Sequence, residues 1–485
     1  MLHRLPISPS STFTILCLAL LLATANPTRG QTVNVANDAD VQAQIRLFSA
    51  WLEGQMAYRG LPGVVVGIVA GDNLVWAQAF GHADLASRQP MTTASRFRMA
   101  SHSKLFTATA IMQLREQGLL RLDDPVVDYL PWFEVKSAEV GDPPITLEHL
   151  LTHSSGLPRE AGSHWIDLQF PTAEELRDLL PERQAAFSPE QRWKYSNLAY
   201  TLAGMVVEQI SGMSWSEYLQ SNIFGPLEML DSSVDIDDPL LASGYARRMP
   251  DGSRALMPFV DARGMAAATG LSSSVEDMAK FVSAQFRKGD REAERILSTA
   301  SLREMHRVRM LETDWTRGQG IGFSVMRVEK RLYVGHGGGY PGYTTHTRIQ
   351  LDDKVGVIVL TNTNDSRPSE LSAQLMNTVG AAVAKASIQD TESVSWDPTW
   401  ARFAGLYRTD WNDTHVVLMN ERLVLINPNS RKLEAKVSLT PLGADRFLLA
   451  APTGGGAVGE MVRFVEEDGR VTGMVSGDSR YDRVQ

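Results

Sequence analysis

A single cysteine is present in 485 residues, and it lies at position 17, inside the apolar stretch from Phe13 to Ala23. That stretch follows a weakly basic start (His3, Arg4) and is succeeded by Ala23-Thr24-Ala25, the three-part pattern of a secretory signal peptide with a cut after Ala25. Eleven residues are too few to cross a bilayer and no later apolar run is long enough, so no membrane span is expected once the signal, residues 1–25, is removed. Removal would leave no thiol, which excludes disulfides, cysteine nucleophiles and thiolate metal sites. Export, to a periplasm or out of the cell, is the expectation. Clustered positive charge is also missing: the formal net charge is −9 and no run of five basic residues occurs, which argues against a nucleic-acid surface. The metalloprotease pattern His-Glu-x-x-His is absent too. His149 and His153 stand four apart in the helical pattern Ile145–His153, yet no third ligand follows at metal spacing, so no metal site is expected.

Apolar periodicity predicts a helix over 41–56 and a hairpin from Gly63–Ala70 and Leu74–Gly81 around Gly71-Asp72-Asn73. A helix over 105–117 ends at Gly118, and Thr146 is placed to cap the next one. From 159 to 310, helices such as Ala173–Leu180 and Leu198–Ile210 alternate with Pro-, Gly- and Ser-rich loops, a helical lobe. Strands return over Gly322–Val328, Leu332–Val334, Thr345–Leu351 and Val355–Leu360, before a helix over Ser369–Ala384. Strands at both ends with helices between them imply one α/β sheet assembled from distant segments, with the site where sheet and lobe meet. Segment 386–398 reads as a polar linker, and the short alternating runs of 399–485 as an antiparallel β-barrel or sandwich.

Three short motifs carry chemistry. Ser101-x-x-Lys104 heads an apolar helical run, so the lysine returns to the face of the Ser101 hydroxyl while Ser103 is turned away. A hydroxyl needs an adjacent base to become a nucleophile, and an amine is one; the pattern alone also recurs by chance about once or twice in a chain of this length. Tyr195-x-Asn197 offers a phenol that acts as general base where positive charge lowers its pKa, and an amide that orients Lys104 and a substrate amide; the same triplet also reads as an aromatic beside a helix cap. His336-Gly337-Gly338-Gly339 follows a strand, where glycines allow a substrate close to the backbone or mark a loose turn carrying a loop histidine.

In this order the motifs resemble the class C serine β-lactamases and their penicillin-binding and esterase relatives, over roughly residues 34–385. Leu150–Pro158, Gly270–Ala279 and Val359–Asn362 are similar as well. The resemblance implies an antiparallel sheet flanked by helices with a helical lobe, followed by a small all-β, lipocalin-like barrel. It implies Ser101 as nucleophile, Lys104 as proton relay, Tyr195 as general base and Asn197, His336, Gly337 and Gly338 against the substrate. The backbone N–H groups of Ser101 and Gly339 would form the oxyanion hole, and neither cofactor nor metal is called for. The class C enzymes begin the third motif with lysine, which binds the substrate carboxylate; His336 is largely neutral near pH 7 and pulls less on one. The variant is more similar to the D-aminopeptidases and esterases of the superfamily, some of which carry a trailing barrel. The resulting expectation is an exported serine hydrolase acting on amide or ester bonds of small peptides or related acyl compounds. A β-lactamase or DD-peptidase, and a non-catalytic sensor that binds peptidoglycan or β-lactams, are the alternatives; a barrel that binds a partner with the hydrolase domain as scaffold is a further one.

Overall fold

Strand β1 (Gly63–Ala70) alternates nothing: its sequence Gly-Val-Val-Val-Gly-Ile-Val-Ala is buried along its whole length except at the last residue. A strand apolar on both faces needs cover on both, and hence a central place in its sheet. In the computed structural model, which describes residues 35–162, 164–234, 238–286, 296–312, 315–328, 331–391, 397–419, 422–426, 428, 437–450 and 459–484, β1 pairs with β2 (Asn73–Asp84) on one edge and with β12 (Val355–Thr361) on the other. The period of two then divides its side chains. Val64, Val66 and Ile68 join one core with Phe48 and Leu52 of the helix Ala39–Arg59, whereas Val65 and Val69 join the other with Phe106 and Ile111 of the helix Ser103–Glu116. Gly67 is required by the packing, since a Cβ there would stand 2.6 Å from Val275 Cγ2.

The remaining strands are β3 (Gln89–Pro90), β4 (Phe97–Arg98), β5 (Ser233–Val234), β6 (Leu271–Ser273), β7 (Met310–Leu311), β8 (Arg317–Gln319), β9 (Ser324–Val328), β10 (Arg331–Tyr340) and β11 (Tyr343–Gln350). Nine of the twelve form one sheet in the order β3-β2-β1-β12-β11-β10-β9-β8-β7, with β4-β6-β5 as a small second sheet. The ladders of β1 with β2 and β12, and those of β11 with β10 and β12, are antiparallel, and helices cover both faces, the fold class expected from the motifs.

Several boundaries differ from the sequence reading, each for a local reason. The helix Ala39–Arg59 begins where Asp38 accepts from Asp40 N and Val41 N and ends at Gly60, φ +63°. The second helix of the pattern at 145–153 is only Leu147–Leu151, and His153 takes φ +56° beyond it, so His149 and His153 do not share a helical face. Strand β10 runs through all three glycines to Tyr340 rather than stopping at Val334, because pairing with β11 from Tyr333–Gln350 to Tyr340–Tyr343 supplies a backbone ladder that needs no side chains. Past Pro368–Leu375, the helix Ala381–Thr391 continues into the segment read as linker; its start, Ala381-Ala382-Val383-Ala384, is made of good helix formers, and Ala386 is buried. The expected signal peptide, residues 1–25, lies outside the described residues. Among those described, no helix is long and apolar enough to cross a membrane and no acid–histidine cluster could hold a metal.

From Gly405 onward eight strands close into an antiparallel barrel: β13 (Gly405–Arg408), β14 (Asp413–Met419), β15 (Arg422–Ile426), β16 (Val437–Pro441), β17 (Arg446–Ala450), β18 (Met461–Glu467), β19 (Arg470–Ser476) and β20 (Ser479–Arg483). It has its own core, in which Phe403 stacks on Phe464 at 4.2 Å. Closure removes the sheet edges that so short a set of strands would otherwise expose.

Candidate active site

The serine is delivered by a tight turn between a strand and a helix. Strand β4 pairs with β6 (Phe97–Ser273, Arg98–Ser272), and Met99 N donates to Leu271 O at 2.7 Å. Ala100 then adopts φ +52°, a left-handed conformation that costs a non-glycine residue roughly 1–2 kcal/mol. A 3-10 turn, Ala100–His102, follows and leads into the helix from Ser103. The strained turn is held by Ser103, whose Oγ donates to Ala100 O at 2.7 Å and accepts from Leu271 N at 3.0 Å. Ser101 is left half-buried with its N–H in the first helical turn, where no intrahelical acceptor exists for it.

Lys104 is fully buried and lies beside that hydroxyl, as the three-residue spacing predicts. Its Nζ donates to Asn197 Oδ1 and to Ala268 O, both at 2.8 Å, and stands 3.2 Å from Ser101 Oγ. Burial drives the Lys104 pKa well below its ordinary value; the Glu160 charge opposes the shift and Arg159 adds to it.

Tyr195 comes from the loop before the helix Asn197–Ser211. Its hydroxyl hydrogen-bonds with the Ser101 side chain, and its ring lies 4.9 Å from Lys104 Nζ and 5.1 Å from the Arg159 guanidinium. The sequence reading has positive charge lowering the phenol's pKa. In the structure burial raises it above the ordinary value, against the smaller opposing effects of the Ser101 hydrogen bond and of Arg159, so Tyr195 is a neutral phenol rather than a phenolate.

Asn197 is engaged at both ends. Its Oδ1 accepts from Lys104, while its Nδ2 donates one N–H to Glu160 Oε1 at 2.5 Å. Glu160 also takes His164 Nε2 at 3.2 Å on its other oxygen. The sequence reading passes over Glu160 and takes His153 only with His149, as a pair weighed for metal binding. His153 lies under Tyr195 at 4.3 Å between ring centroids, and its Nδ1 accepts from Ser196 N, fixing the loop that carries the phenol. Both residues sit in or just after the flanking segment Leu150–Pro158, which was the available signal.

The third motif lines up along β10. Its two-residue turn, Pro341-Gly342, makes Tyr340–Tyr343 the closing hydrogen-bonded pair, so Gly339, one residue back, points its N–H away from β11. It points to an open edge, because β9 pairs with β10 only as far as Gly335. Gly339 is exposed and a Cβ there would meet nothing within 4 Å. Gly338 differs: a Cβ would stand 2.3 Å from Met99 O and 2.3 Å from Thr345 Oγ1, so this glycine packs the strand against the nucleophile's turn rather than facing a substrate. His102 completes the seam, held by Thr347 Oγ1 at 2.9 Å and 6.1 Å from the His336 ring. Gly337 faces His346, where a Cβ would make an ordinary contact at 3.5 Å. His336 is buried, donates from Nδ1 to Gly337 O at 2.6 Å, and has its pKa lowered to about 3, by burial first and then by Lys104 and His102. It is a neutral imidazole and offers no positive charge to a carboxylate.

A cleft of about 330 Å³ opens beside this cluster, lined by Trp193, Tyr195 and His336 together with residues of β8, β9, β10 and β11. The arrangement thus joins a half-exposed hydroxyl, a desolvated amine, a neutral phenol and two outward N–H groups at the rim of a cleft, the components of nucleophilic acyl transfer.

Comparison with known proteins agrees with this geometry. The chain is 28% identical over 416 residues to penicillin-binding protein 4* of Bacillus subtilis, covering 80% of this chain and 88% of that protein. It is 33% identical over 193 residues to esterase EstB of Burkholderia gladioli, covering 37% of this chain and 49% of the esterase. The octameric penicillin-binding protein homologue from Pyrococcus abyssi superposes with a TM-score of 0.61 at 27% identity, over 90% of this chain and 99% of that one. A D-stereospecific amidohydrolase from Streptomyces, 22% identical, shares the fold with a TM-score of 0.57 over 69% of this chain and 98% of its own. A family model described as Beta-lactamase matches residues 48–380, a span that holds the Ser101 turn, the Tyr195 loop and the β10 glycines, and the chain belongs to that family.

Proposed function

We propose that the protein is a serine hydrolase that forms an acyl-enzyme at Ser101 and acts on amide or ester bonds of small peptides or related acyl compounds. The observation that carries this reading is the coordination of Lys104. Burial favours the uncharged form of Lys104, and an uncharged amine has two N–H groups and one lone pair. In that form Asn197 Oδ1 and Ala268 O take the two N–H groups, which leaves the lone pair for the hydroxyl 3.2 Å away. Lys104 removes the Ser101 proton as Oγ bonds to the substrate carbonyl carbon, and the oxyanion settles between the N–H groups of Ser101 and Gly339. The bond to the leaving amine or alkoxide then breaks, and the proton reaches it through Tyr195, whose raised pKa keeps it able to donate. Water repeats the sequence on the ester and frees Ser101.

Similarity to penicillin-binding protein 4* along most of both chains, and to an esterase across the catalytic segment, supports this class of reaction. The neutral His336 supports ester or amide substrates over efficient β-lactam hydrolysis. The N-terminal pattern of residues 1–25 supports action outside the cytoplasm. The test is covalent labelling with a fluorophosphonate and a fluorescent penicillin, beside assays with p-nitrophenyl butyrate, D-alanine p-nitroanilide and nitrocefin. Labelling is expected on the native protein and lost in Ser101→Ala, with the ester and anilide turned over faster than nitrocefin. No adduct with either probe would sink the hydrolase, and dominant nitrocefin turnover would sink the substrate preference.

A further inference from the structure

Arg348 stands on β11, in the middle of the sheet, and the residue is 9% exposed. A guanidinium so deeply placed is ordinarily paired, because removing an uncompensated charge from water is costly. Among the described residues Arg348 has neither an ion pair nor a hydrogen-bond acceptor, and its Nε is buried without a partner. Its one close neighbour of note is the face of Tyr333, 5.6 Å from the guanidinium carbon. The residue opposite it in the ladder is Gly335 of β10. With no side chain there, Arg348 can extend across β10 to the edge that β9 leaves, and it lines the cleft that Tyr195 and His336 also line. Glu312, which lines the same cleft, makes no ion pair with it among the described residues.

We propose that this cleft binds a carboxylate through Arg348, so that the substrate or product of the Ser101 reaction carries an anionic end held on the far side of β10. The inference rests on the hydrolase reading above for the identity of the reacting end, and on the unpaired guanidinium for the other. A planar carboxylate matches the donor fork of an arginine, and it would supply the counter-charge that the guanidinium lacks among the described residues. Neutral donors nearby, the hydroxyls of Ser324 and Ser369, line the same space.

The probes are hexanoate and hexanamide, equal in shape and different in charge, titrated calorimetrically into the full chain at pH 7.5 and low salt. Hexanoate is expected to bind roughly 10- to 100-fold more tightly, the range for a charge-assisted pair over a neutral one. It should also inhibit p-nitrophenyl butyrate hydrolysis competitively. Arg348→Met should abolish the preference for the anion while leaving hexanamide affinity in place, and Arg348→Lys should keep part of it. A merely structural role for Arg348 would weaken both ligands together. Equal affinities in the native protein, a preference that survives Arg348→Met, or non-competitive inhibition would each overturn the proposal. Absence of ester turnover with the anion preference intact would instead remove the hydrolase reading and leave the carboxylate site standing.

Discussion

Replacing Gly338 by alanine isolates the seam between β10 and the nucleophile. The added Cβ would lie 2.3 Å from Met99 O and 2.3 Å from Thr345 Oγ1, with His102 Nδ1 at 3.2 Å. An ordinary carbon–oxygen contact needs about 3.4 Å, so strand and turn must part by about 1 Å, at a cost of roughly 1–3 kcal/mol for overpacking. The atom that must move is the carbonyl two residues before Ser101, directly upstream of the strained Ala100. A displacement of about 1 Å at a reacting group costs on the order of 10²-fold in rate. Gly338→Ala is therefore expected to lower kcat for p-nitrophenyl butyrate by about 100-fold, to slow fluorophosphonate labelling in parallel, and to reduce the melting temperature by a few degrees. Gly339→Ala is the matched control. Its Cβ meets nothing within 4 Å, so the melting temperature should hold and any loss should fall on KM. A Gly338→Ala protein within threefold of native kcat and with unchanged melting would refute the argument that this glycine seats the nucleophile.

That contrast between neighbouring glycines marks where the sequence stops being readable. Motif spacing places Ser101 and Lys104 together because one helix carries both, and local periodicity is the most dependable thing a sequence offers. Tyr195, Asn197 and His336 come from other elements, and their order along the chain, not any local pattern, brings them to the site. Their protonation states were beyond reach for a further reason. Burial raises Tyr195 and lowers His336, and burial is decided by what packs over a residue from distant segments. The same limit hid Glu160, whose contact with Asn197 spans 37 positions. It also hid Arg348, which in sequence is one charged residue in a strand of threonines and only in the sheet proves to face a glycine. The barrel was legible as a class because its strands are short and regularly spaced, while its closure is a pairing of β13 with β20 across the whole segment.

Three further outcomes test the rest of the site. Ser103→Ala should still be labelled at Ser101, with stability reduced by about 1–3 kcal/mol because Leu271 N and Ala100 O lose a buried partner; loss of labelling at full stability would move the nucleophile to Ser103. Glu160→Gln retains an acceptor for Asn197 but removes the charge that raises the Lys104 pKa, so the acidic limb of the kcat/KM profile should move to lower pH, and an upward move would show that Lys104 is not the titrating base. The buried histidines make the fold itself acid-sensitive. His102 and His306 have pKa values lowered to about 4, and His336 and His346 to about 3, in each case chiefly by burial. Their ordinary value is 6.5, so between pH 6.5 and about 4 the unfolded chain binds protons that the folded one refuses. The contribution is fully present above pH 6.5 and is lost as pH falls through that window, by up to about 1.4 kcal/mol per unit for each histidine. Denaturant unfolding at pH 7.5, 6.0 and 5.0 should therefore show stability falling steeply before ordinary carboxylates titrate. His346→Gln, which keeps a polar partner for the Ser372 hydroxyl, should fall less steeply by one proton's share. Stability that is flat from pH 7.5 to 5.0 would mean that these rings take up protons without unfolding, and that His336 is not held neutral beside Lys104.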